Sequence, residues 1–405
     1  MSIIMKNYTN ETAWGQNINI LIIGTDDGIF KSNSAVRKRI VDYAAHFKSF
    51  YVISKTRDKV LSEDFESKAF FYPAYSSSFF SFIRSSYLLG SAILGKEGNW
   101  VISVENPFET ALVGWLLSRR YKFPLQIQVH TDIFSNYFWK ESLKNKVRVL
   151  LAKFLLPRAD GVRVVSERIK QSLITQLPNY QLLPLRGISQ RETIIVLPIF
   201  VDVKKIQSAP IKTDLHQKYP DYDFIILMAS RLTREKNIGI AIEAMKEILK
   251  RKNLNPKPST LNPLLLIVGD GPEGQKLESR IQNLELSTNI KIENWTDDLI
   301  SYYKTADLFL LTSNYEGYGR TVVEAMSAGL PVVMTDVGIA GELLIDDLDG
   351  RVVPVGSEKA LAAAIMELKE NFAKKEEFKQ NNLKLLEKWP TKQEYLEKYK
   401  RSLEL

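Results

Sequence analysis

The chain has 405 residues, 45% hydrophobic and 25% charged, a composition that excludes disorder as the dominant state and is long enough for two or three domains. It has no cysteine, which excludes disulfides and thiol chemistry, and its three histidines (His46, His130, His216) are too far apart for zinc-ligand spacing. The formal charge of +8 is lopsided: residues 1–200 carry 26 Lys and Arg against 16 Asp and Glu, whereas the remainder carries 29 against 31.

A basic front half implies an anionic partner there: nucleic acid, a membrane surface or a phosphorylated ligand. A soluble protein can also carry such a bias by chance. From the N-terminus, Met1 to Gln16 holds no apolar run of signal-peptide type, and no segment approaches the ~18–20 apolar residues of a spanning helix. A cytoplasmic protein that can touch a membrane is expected.

Short apolar runs then alternate with amphipathic stretches to the end of the chain. Strand-like runs occur at Ile18–Thr25, Phe50–Lys55, Ala69–Tyr75, Trp100–Glu105, Pro124–Val129, Gly161–Ser166 and Thr193–Leu197. Helix-like stretches between them include Ser34–Phe47, Phe108–Tyr121 and Lys140–Leu156. The second half repeats the plan with Phe224–Ser230, Leu264–Gly269, Asn289–Glu293, Leu308–Thr312, Pro331–Thr335 and Arg351–Val355. Strands apolar on both faces, alternating with helices, predict parallel sheets covered on both sides, and two such sets of about six strands predict two doubly wound α/β domains. The break near 200–215 separates an acceptor-type domain over 1–202 from a second domain over 203–388. Residues 251–263 read as a surface insertion, Glu358–Asn371 as a helix, and 389–405 as a helix returning to the first domain.

Ligands of open parallel sheets bind at the carboxyl ends of the strands, so the residues just after each run are the first candidates for a site. After Phe224–Ala229 come Arg231 and Lys236, two cations in a strand-to-helix loop that suit a diphosphate, or simply a solvated charged loop. After Leu308–Thr312 come Glu316, Gly317, Tyr318, Gly319, Arg320, Thr321 and, one turn into a helix, Glu324. The glycines permit close backbone approach, and a carboxylate at either place can accept two hydrogen bonds from vicinal hydroxyls.

These contexts recur in order: Arg231…Lys236, then Val268-Gly269-Asp270-Gly271-Pro272-Glu273, then Glu316…Glu324, then Ala328-Gly329-Leu330-Pro331. In them the chain resembles the retaining glycosyltransferases of family 4, over roughly residues 160–370 and far more faintly over 1–130. The resemblance implies the GT-B fold, two Rossmann-like domains facing across a cleft, with a nucleotide-diphosphate sugar as co-substrate and no cofactor or metal. It implies that Arg231 and Lys236 hold the donor diphosphate and that Glu324 takes the ribose. Glu316, with the backbone around Gly317–Arg320, would hold the donor sugar. His130, which ends the strand Leu125–Val129, matches a histidine placed beside the transferred sugar, although a lone histidine is also often structural.

The sequence departs from the family's pattern at several places. The glycine-rich turn after the first strand is reduced to Asp26-Asp27-Gly28-Ile29, leaving Gly28 at the cleft. Ile199-Phe200 stand where an Asn-Gly pair is usual, and Ile339 replaces the second glycine of a Gly-Gly pair. Arg320 stands where an apolar residue is usual, adding either a phosphate contact or a surface charge. Asp221-Tyr222-Asp223 and Asp347-Leu348-Asp349 match a bare Asp-x-Asp pattern, but neither is placed to bridge a diphosphate through a metal.

The expected reaction is retaining sugar transfer to a hydroxyl acceptor, a saccharide or lipid-linked saccharide of a cell envelope. A dinucleotide-dependent oxidoreductase is the contrasting class, opposed by the missing Gly-x-Gly-x-x-Gly turn after Ile18–Thr25. A non-catalytic nucleotide-sugar-binding protein on the same fold is the other. Residues 140–170 hold nine basic and three acidic residues, with Leu143, Val147, Leu150, Leu151, Phe154 and Leu155 at helical spacing. That pattern fits a core-packing helix with a basic rim or a helix lying on anionic lipid, together with Phe79, Phe80, Phe82, Ile83 and Arg84. An anionic membrane or acceptor thus replaces nucleic acid as the expected partner of the basic half.

Overall fold

The computed structural model describes residues 15–58, 64–177, 194–254 and 262–405. Most of Met1–Gln16, residues 255–261 of the expected insertion and Thr193 lie outside the described residues. The chain divides into two compact units, one of residues 1–198 with 392–405, the other of residues 199–391. The division falls a few residues from the expected boundaries at 202 and 388.

Unit 1 is built on strands β1 (Ile18–Gly24), β2 (Ser49–Thr56), β3 (Asp64–Glu66), β4 (Ala69–Tyr75), β5 (Asn99–Val104), β6 (Leu125–Val129), β7 (Gly161–Val164) and β8 (Ile194–Val196). Their spatial order is β3-β4-β2-β1-β5-β6-β7-β8. Every pairing is parallel except β3 with β4. The central strands are buried on both faces, as their unbroken apolar runs require. All seven strand-like runs of the first half are strands, and the eighth, β3, is a three-residue antiparallel edge too short to show a period.

The helices of this unit are α1 (Ala35–Ala44), α2 (Phe79–Leu94), α3 (Glu109–Tyr121), α4 (Asn136–Glu141), α5 (Leu143–Leu155) and α6 (Glu167–Gln176). The single helix expected over Lys140–Leu156 is two. Ser142 sits between them in extended conformation, and its hydroxyl accepts from the Asn145 amide, so α5 starts afresh with its own cap.

Unit 2 opens with the short helices α7 (Val203–Ser208) and α8 (Leu215–Lys218). Its strands are β9 (Phe224–Ala229), β10 (Pro263–Val268), β11 (Ile290–Glu293), β12 (Leu308–Leu311), β13 (Val332–Thr335) and β14 (Arg351–Val353). All pair in parallel, in the order β11-β10-β9-β12-β13-β14. The helices are α9 (Ile238–Leu254), α10 (Gly274–Asn283), α11 (Leu299–Thr305), α12 (Arg320–Ser327), α13 (Glu358–Glu370) and α14 (Phe372–Leu386). Helix α14 is not expected from sequence: Lys and Glu dominate it, and its inward face is only Phe378, Asn382 and Leu386. Helices α9 and α13 pack on one face of the sheet through Ile242, Met245, Leu361 and Ile365, all buried.

The last helix, α15 (Lys392–Arg401), belongs to unit 1. Tyr399 stacks on Tyr43 of α1 with ring centroids 4.0 Å apart, and Lys392 pairs with Asp42 at 2.7 Å.

Each sheet has one place where the chain, having built strands outward in one direction, returns to build in the other. In unit 1 it lies between β1 and β5, and in unit 2 between β9 and β12. Loops leaving the carboxyl ends of such strand pairs diverge to opposite faces and leave a crevice, the usual ligand position in open α/β sheets.

Candidate active site

In unit 2 the loops after β9, β10 and β12 are bound into one block. Leu232 donates its amide to the Asp270 carbonyl at 2.8 Å, and Glu273 donates to Leu232 at 2.9 Å. Asn314 donates to the Glu235 carbonyl at 2.8 Å, and the Thr312 hydroxyl donates to the Lys236 carbonyl at 2.8 Å. Gly269 has φ +152°, and a Cβ there would collide with the Ser230 carbonyl, so only glycine lets the first two loops lie against each other.

Within this block Lys236 Nζ pairs with Glu316 Oε1, and the Ser313 hydroxyl donates to the same oxygen at 2.7 Å. The two side chains are only 17% and 13% exposed. The pair thus sits at the carboxyl ends of β9 and β12, where the strand order reverses. Arg231 reaches outward, 76% exposed, and touches Glu235 at 3.2 Å; Glu235 is itself held by the Thr233 hydroxyl at 2.6 Å. A mostly exposed guanidinium held by one weak contact can turn to an incoming anion at little cost.

Glu324 projects from α12 with both oxygens engaged: Oε1 pairs with Arg320 Nε at 2.8 Å, and Oε2 accepts from the Tyr303 hydroxyl at 3.1 Å. Burial and the neighbouring carboxylate hold the Tyr303 phenol well above its ordinary range, so it remains a neutral donor. Arg320 is an exposed charge, 52% accessible, whose partner is the Glu324 carboxylate. A carboxylate has about four lone-pair directions, so Glu324 can still accept from a ligand.

Helix α12 begins at Arg320, one residue before the expected Thr321, with Gly319 at φ +94° before it. Tyr318 is buried, and the turn is backed by Gly338, which sequence reasoning does not single out. At φ +55°, a Cβ on Gly338 would lie 2.5 Å from the Tyr318 carbonyl and 3.1 Å from Glu316 Cβ. Gly338 precedes Ile339, whose amide donates to that same carbonyl at 3.0 Å. The first glycine of the reduced Gly-Gly pair was the available signal.

In unit 1, Gly28 lies in a short 3-10 turn over Asp27–Phe30. Its amide is taken by the Asp26 carboxylate at 2.9 Å, and the Ser34 hydroxyl donates to its carbonyl at 2.6 Å. An amide already bonded to a carboxylate is a poor phosphate cradle. Glu105 follows β5 with its carboxylate against Gly24 at the end of β1; burial raises its affinity for a proton above the usual carboxylate range. His130 follows β6, with Nε2 3.0 Å from Gln128 Oε1. Burial, then the Arg163 and Arg39 cations, push its imidazole down to about 3, so it is neutral at physiological pH.

Both Asp-x-Asp stretches are engaged elsewhere. Asp223 accepts from Lys369 and the Asn262 amide, both at 2.9 Å, and Asp347 pairs with Arg351 and Lys374. Among the described residues there is no group of three or more His, Asp or Glu arranged to hold a metal ion.

On α5 the apolar positions divide between two faces. Leu143, Val147, Leu150 and Phe154 are 77%, 65%, 60% and 44% exposed, while Asn145, Val149, Ala152 and Leu155 face inward. Of the stripe read from spacing, Leu155 packs inward and these four large apolar residues are left in solvent. Phe79 and Phe80 are likewise exposed, at 46% and 80%, whereas Phe82 is buried.

Two doubly wound α/β units, with a cation–carboxylate pair and a helix-borne glutamate at the second unit's switch point, have the arrangement of the GT-B fold. Residues 212–385 match the family model described as glycosyl transferases group 1. The chain is 27% identical over 281 residues to the alpha-monoglucosyldiacylglycerol synthase of Streptococcus pneumoniae, covering 66% of this chain and 58% of that protein. It is 25% identical to the capsular polysaccharide biosynthesis glycosyltransferase CapM of Staphylococcus aureus, covering 72% and 73% of the two chains. Anabaena Alr3699/HepE, solved in complex with UDP and glucose, superposes over 95% of this chain and 99% of its own with a TM-score of 0.70 at 20% identity.

Proposed function

We propose that the protein transfers a sugar from a nucleoside diphosphate sugar to a hydroxyl of a saccharide or lipid-linked acceptor of a cell envelope, with retention of anomeric configuration and without a metal. The observation that carries this reading is the Lys236–Glu316 pair at the switch point of the second sheet, with Arg231 free to swing and Glu324 one helical turn away. A diphosphate entering there draws Lys236 from Glu316 and gathers Arg231. The freed Glu316 carboxylate then accepts from the sugar hydroxyls, and Glu324 from the ribose.

As the glycosidic bond breaks, negative charge grows on the departing phosphate and positive charge on the anomeric carbon. The Lys236 cation, joined by Arg231 once it turns to the diphosphate, stabilises the first where water would have to reorganise, which is the main catalytic contribution of this site. The acceptor hydroxyl attacks from the face the phosphate leaves and gives its proton to a phosphate oxygen. Glu316 then has no need to act as a covalent nucleophile of the glycosidase kind.

The names of two relatives, a glucosyldiacylglycerol synthase and a capsular polysaccharide glycosyltransferase, support an envelope acceptor, and the UDP and glucose of the Anabaena complex support a uridine diphosphate donor. No described helix is long and apolar enough to cross a membrane. The exposed stripe of α5, with Lys140, Lys144, Lys146 and Lys153 interleaved, supports peripheral docking on an anionic lipid surface at the cytoplasmic face. The reading is tested by incubating nucleoside diphosphate sugars with the enzyme in excess chelator and determining the product anomer by NMR. Retention with undiminished rate is expected; inversion or metal dependence contradicts it.

A further inference from the structure

A chain of buried side chains runs through unit 1 from the C-terminal segment to His130. The Ser402 carbonyl accepts from Gln126 Nε2, and Gln126 Oε1 accepts from the Ser103 hydroxyl at 3.0 Å. Ser103 Oγ accepts from Gln128 Nε2 at 2.9 Å. Gln128 Oε1 then accepts from Arg163 at 3.2 Å and lies 3.0 Å from His130 Nε2. Gln126, Gln128, Ser103 and Arg163 are all at most 4% exposed. Register explains the alignment: Ser103 pairs with Gln126 across β5–β6, and Gln128 with Arg163 across β6–β7.

The direction of every bond in this chain is fixed from both ends. A backbone carbonyl can only accept, so the Gln126 atom facing Ser402 is the amide nitrogen. Its oxygen must then take the Ser103 proton, and Ser103 must take an amide proton from Gln128. At the other end a guanidinium can only donate, so the Gln128 atom beside Arg163 is independently required to be oxygen. Reversing any one amide would face two donors or two acceptors in a buried setting, at a desolvation cost no other contact offsets. The proton on the His130–Gln128 contact therefore belongs to the imidazole.

We propose that Arg163 and Gln128 are positioning residues that lock His130 as the Nε2–H tautomer and so leave Nδ1 as a hydrogen-bond acceptor for a hydroxyl of a substrate bound at the carboxyl end of β6. The inference rests on the reading that the protein is a sugar transferase. Neutrality is part of the same device: burial and the Arg163 and Arg39 cations oppose a second proton, so Nδ1 keeps its lone pair. Arg163 itself is held by Tyr395 of α15 through a 3.1 Å hydrogen bond, with its guanidinium 5.1 Å from the Tyr399 ring. The C-terminal helix thereby braces a residue far from it in sequence. No carboxylate lies within ion-pair distance of Arg163 among the described residues, and its guanidinium donates to Gln128.

The full-length enzyme, labelled with 15N-histidine, tests this directly by NMR. Only three histidines contribute, and His130→Asn assigns the relevant pair of nitrogens by their loss. The wild type should show a protonated Nε2 and a bare Nδ1, unchanged from about pH 8 to 5. In Arg163→Met the tautomer should become mixed, and Arg163→Lys should restore it. In Gln128→Glu, a carboxylate in place of the amide should draw a second proton onto the ring at higher pH and make transfer fall with acid.

For transfer, His130→Ala should lose about tenfold in kcat, the worth of one hydrogen bond tightened in the transition state. His130→Asn, which can turn Oδ1 to the place of Nδ1, should lose less. A protonated Nδ1 in the wild type, or a tautomer indifferent to Arg163→Met, overturns the proposal. So does an unchanged rate in His130→Ala. Failure of the broader reading looks different: the wild type would release no nucleoside diphosphate from any sugar nucleotide, with the tautomer intact.

Discussion

Lys236 and Glu316 lie 80 residues apart in sequence and form an ion pair at the carboxyl ends of β9 and β12, the two strands between which the second sheet reverses its order. Each charge is stored against the other; in the proposed function the lysine takes the diphosphate and the carboxylate the sugar hydroxyls.

Glu316→Gln removes that competitor for Lys236 while keeping the shape of the side chain. The donor's KM should stay the same or fall, while kcat falls by roughly a hundredfold, the scale of losing one preorganised electrostatic group. Steady-state kinetics of nucleoside diphosphate release separates the two constants. A raised KM with unchanged kcat would assign Glu316 to ground-state binding alone.

Glu324 is held by Tyr303 and Arg320, so its position does not depend on ligand. Glu324→Ala should raise the donor's KM by about ten- to a hundredfold through the loss of two charge-assisted hydrogen bonds. Tyr303→Phe should have a smaller effect of the same sign. Titration calorimetry with the nucleoside diphosphate checks both without turnover.

Gly338 carries the Glu316–Tyr318 turn on its bare Cα. Gly338→Ala meets both a left-handed backbone and a Cβ 2.5 Å from a carbonyl oxygen. A loss of about 2–4 kcal/mol in unfolding free energy is expected, read from denaturant melts, with donor affinity falling in parallel. Wild-type stability in this variant would mean the turn can shift freely.

The stripe Leu143, Val147, Leu150 and Phe154 should carry membrane binding. Wild-type protein should sediment with vesicles containing anionic lipid, release in high salt, and ignore neutral vesicles. Leu143→Glu with Leu150→Glu should abolish sedimentation and leave the melting curve within about 1 kcal/mol, since both side chains are already in solvent. Equal binding to neutral vesicles, or binding by the double variant, removes the lipid surface as the occupant.

His130 also makes a pH prediction. Its imidazole takes up a proton in the folded state only near 3, whereas the unfolded chain takes one up near 6.5. Below 6.5 the unfolded state therefore binds more protons, and stability falls with acid by up to about 1.4 kcal/mol per pH unit until about 3. Comparison with His130→Asn isolates the effect, because the variant lacks this slope. The buried Glu105 works in the opposite sense, losing its contribution as pH rises above the ordinary carboxylate value, and is common to both proteins.

Much of this architecture is legible in the sequence. Strands buried on both faces announce themselves as apolar runs, and glycine with charge after a run marks a ligand-side loop; spacing alone is weak there, and Arg231, Lys236, Glu316 and Glu324 are named by the resemblance that the order of these contexts carries. The features hidden from it are those that depend on direction or partner. The α5 stripe has the same periodicity whether it faces core or solvent, so its direction cannot be read from spacing. Arg320 and Gly338 owe their roles to Glu324 and Tyr318, contacts set by the fold. Helix α14 has too few apolar residues to show its inward face. The polarised chain from Ser402 to His130 depends on strand register, which no local pattern encodes.

The central claim is that the block of loops around Lys236 and Glu316 is a diphosphate-sugar site that drives transfer. Nucleoside diphosphate release across a panel of sugar nucleotides, with wild type beside the Arg231→Ala, Lys236→Ala double variant, tests it most directly. The wild type should turn over at least one donor, and the double variant should fall by about a thousandfold while keeping its circular dichroism spectrum. Full activity in the double variant would contradict the account.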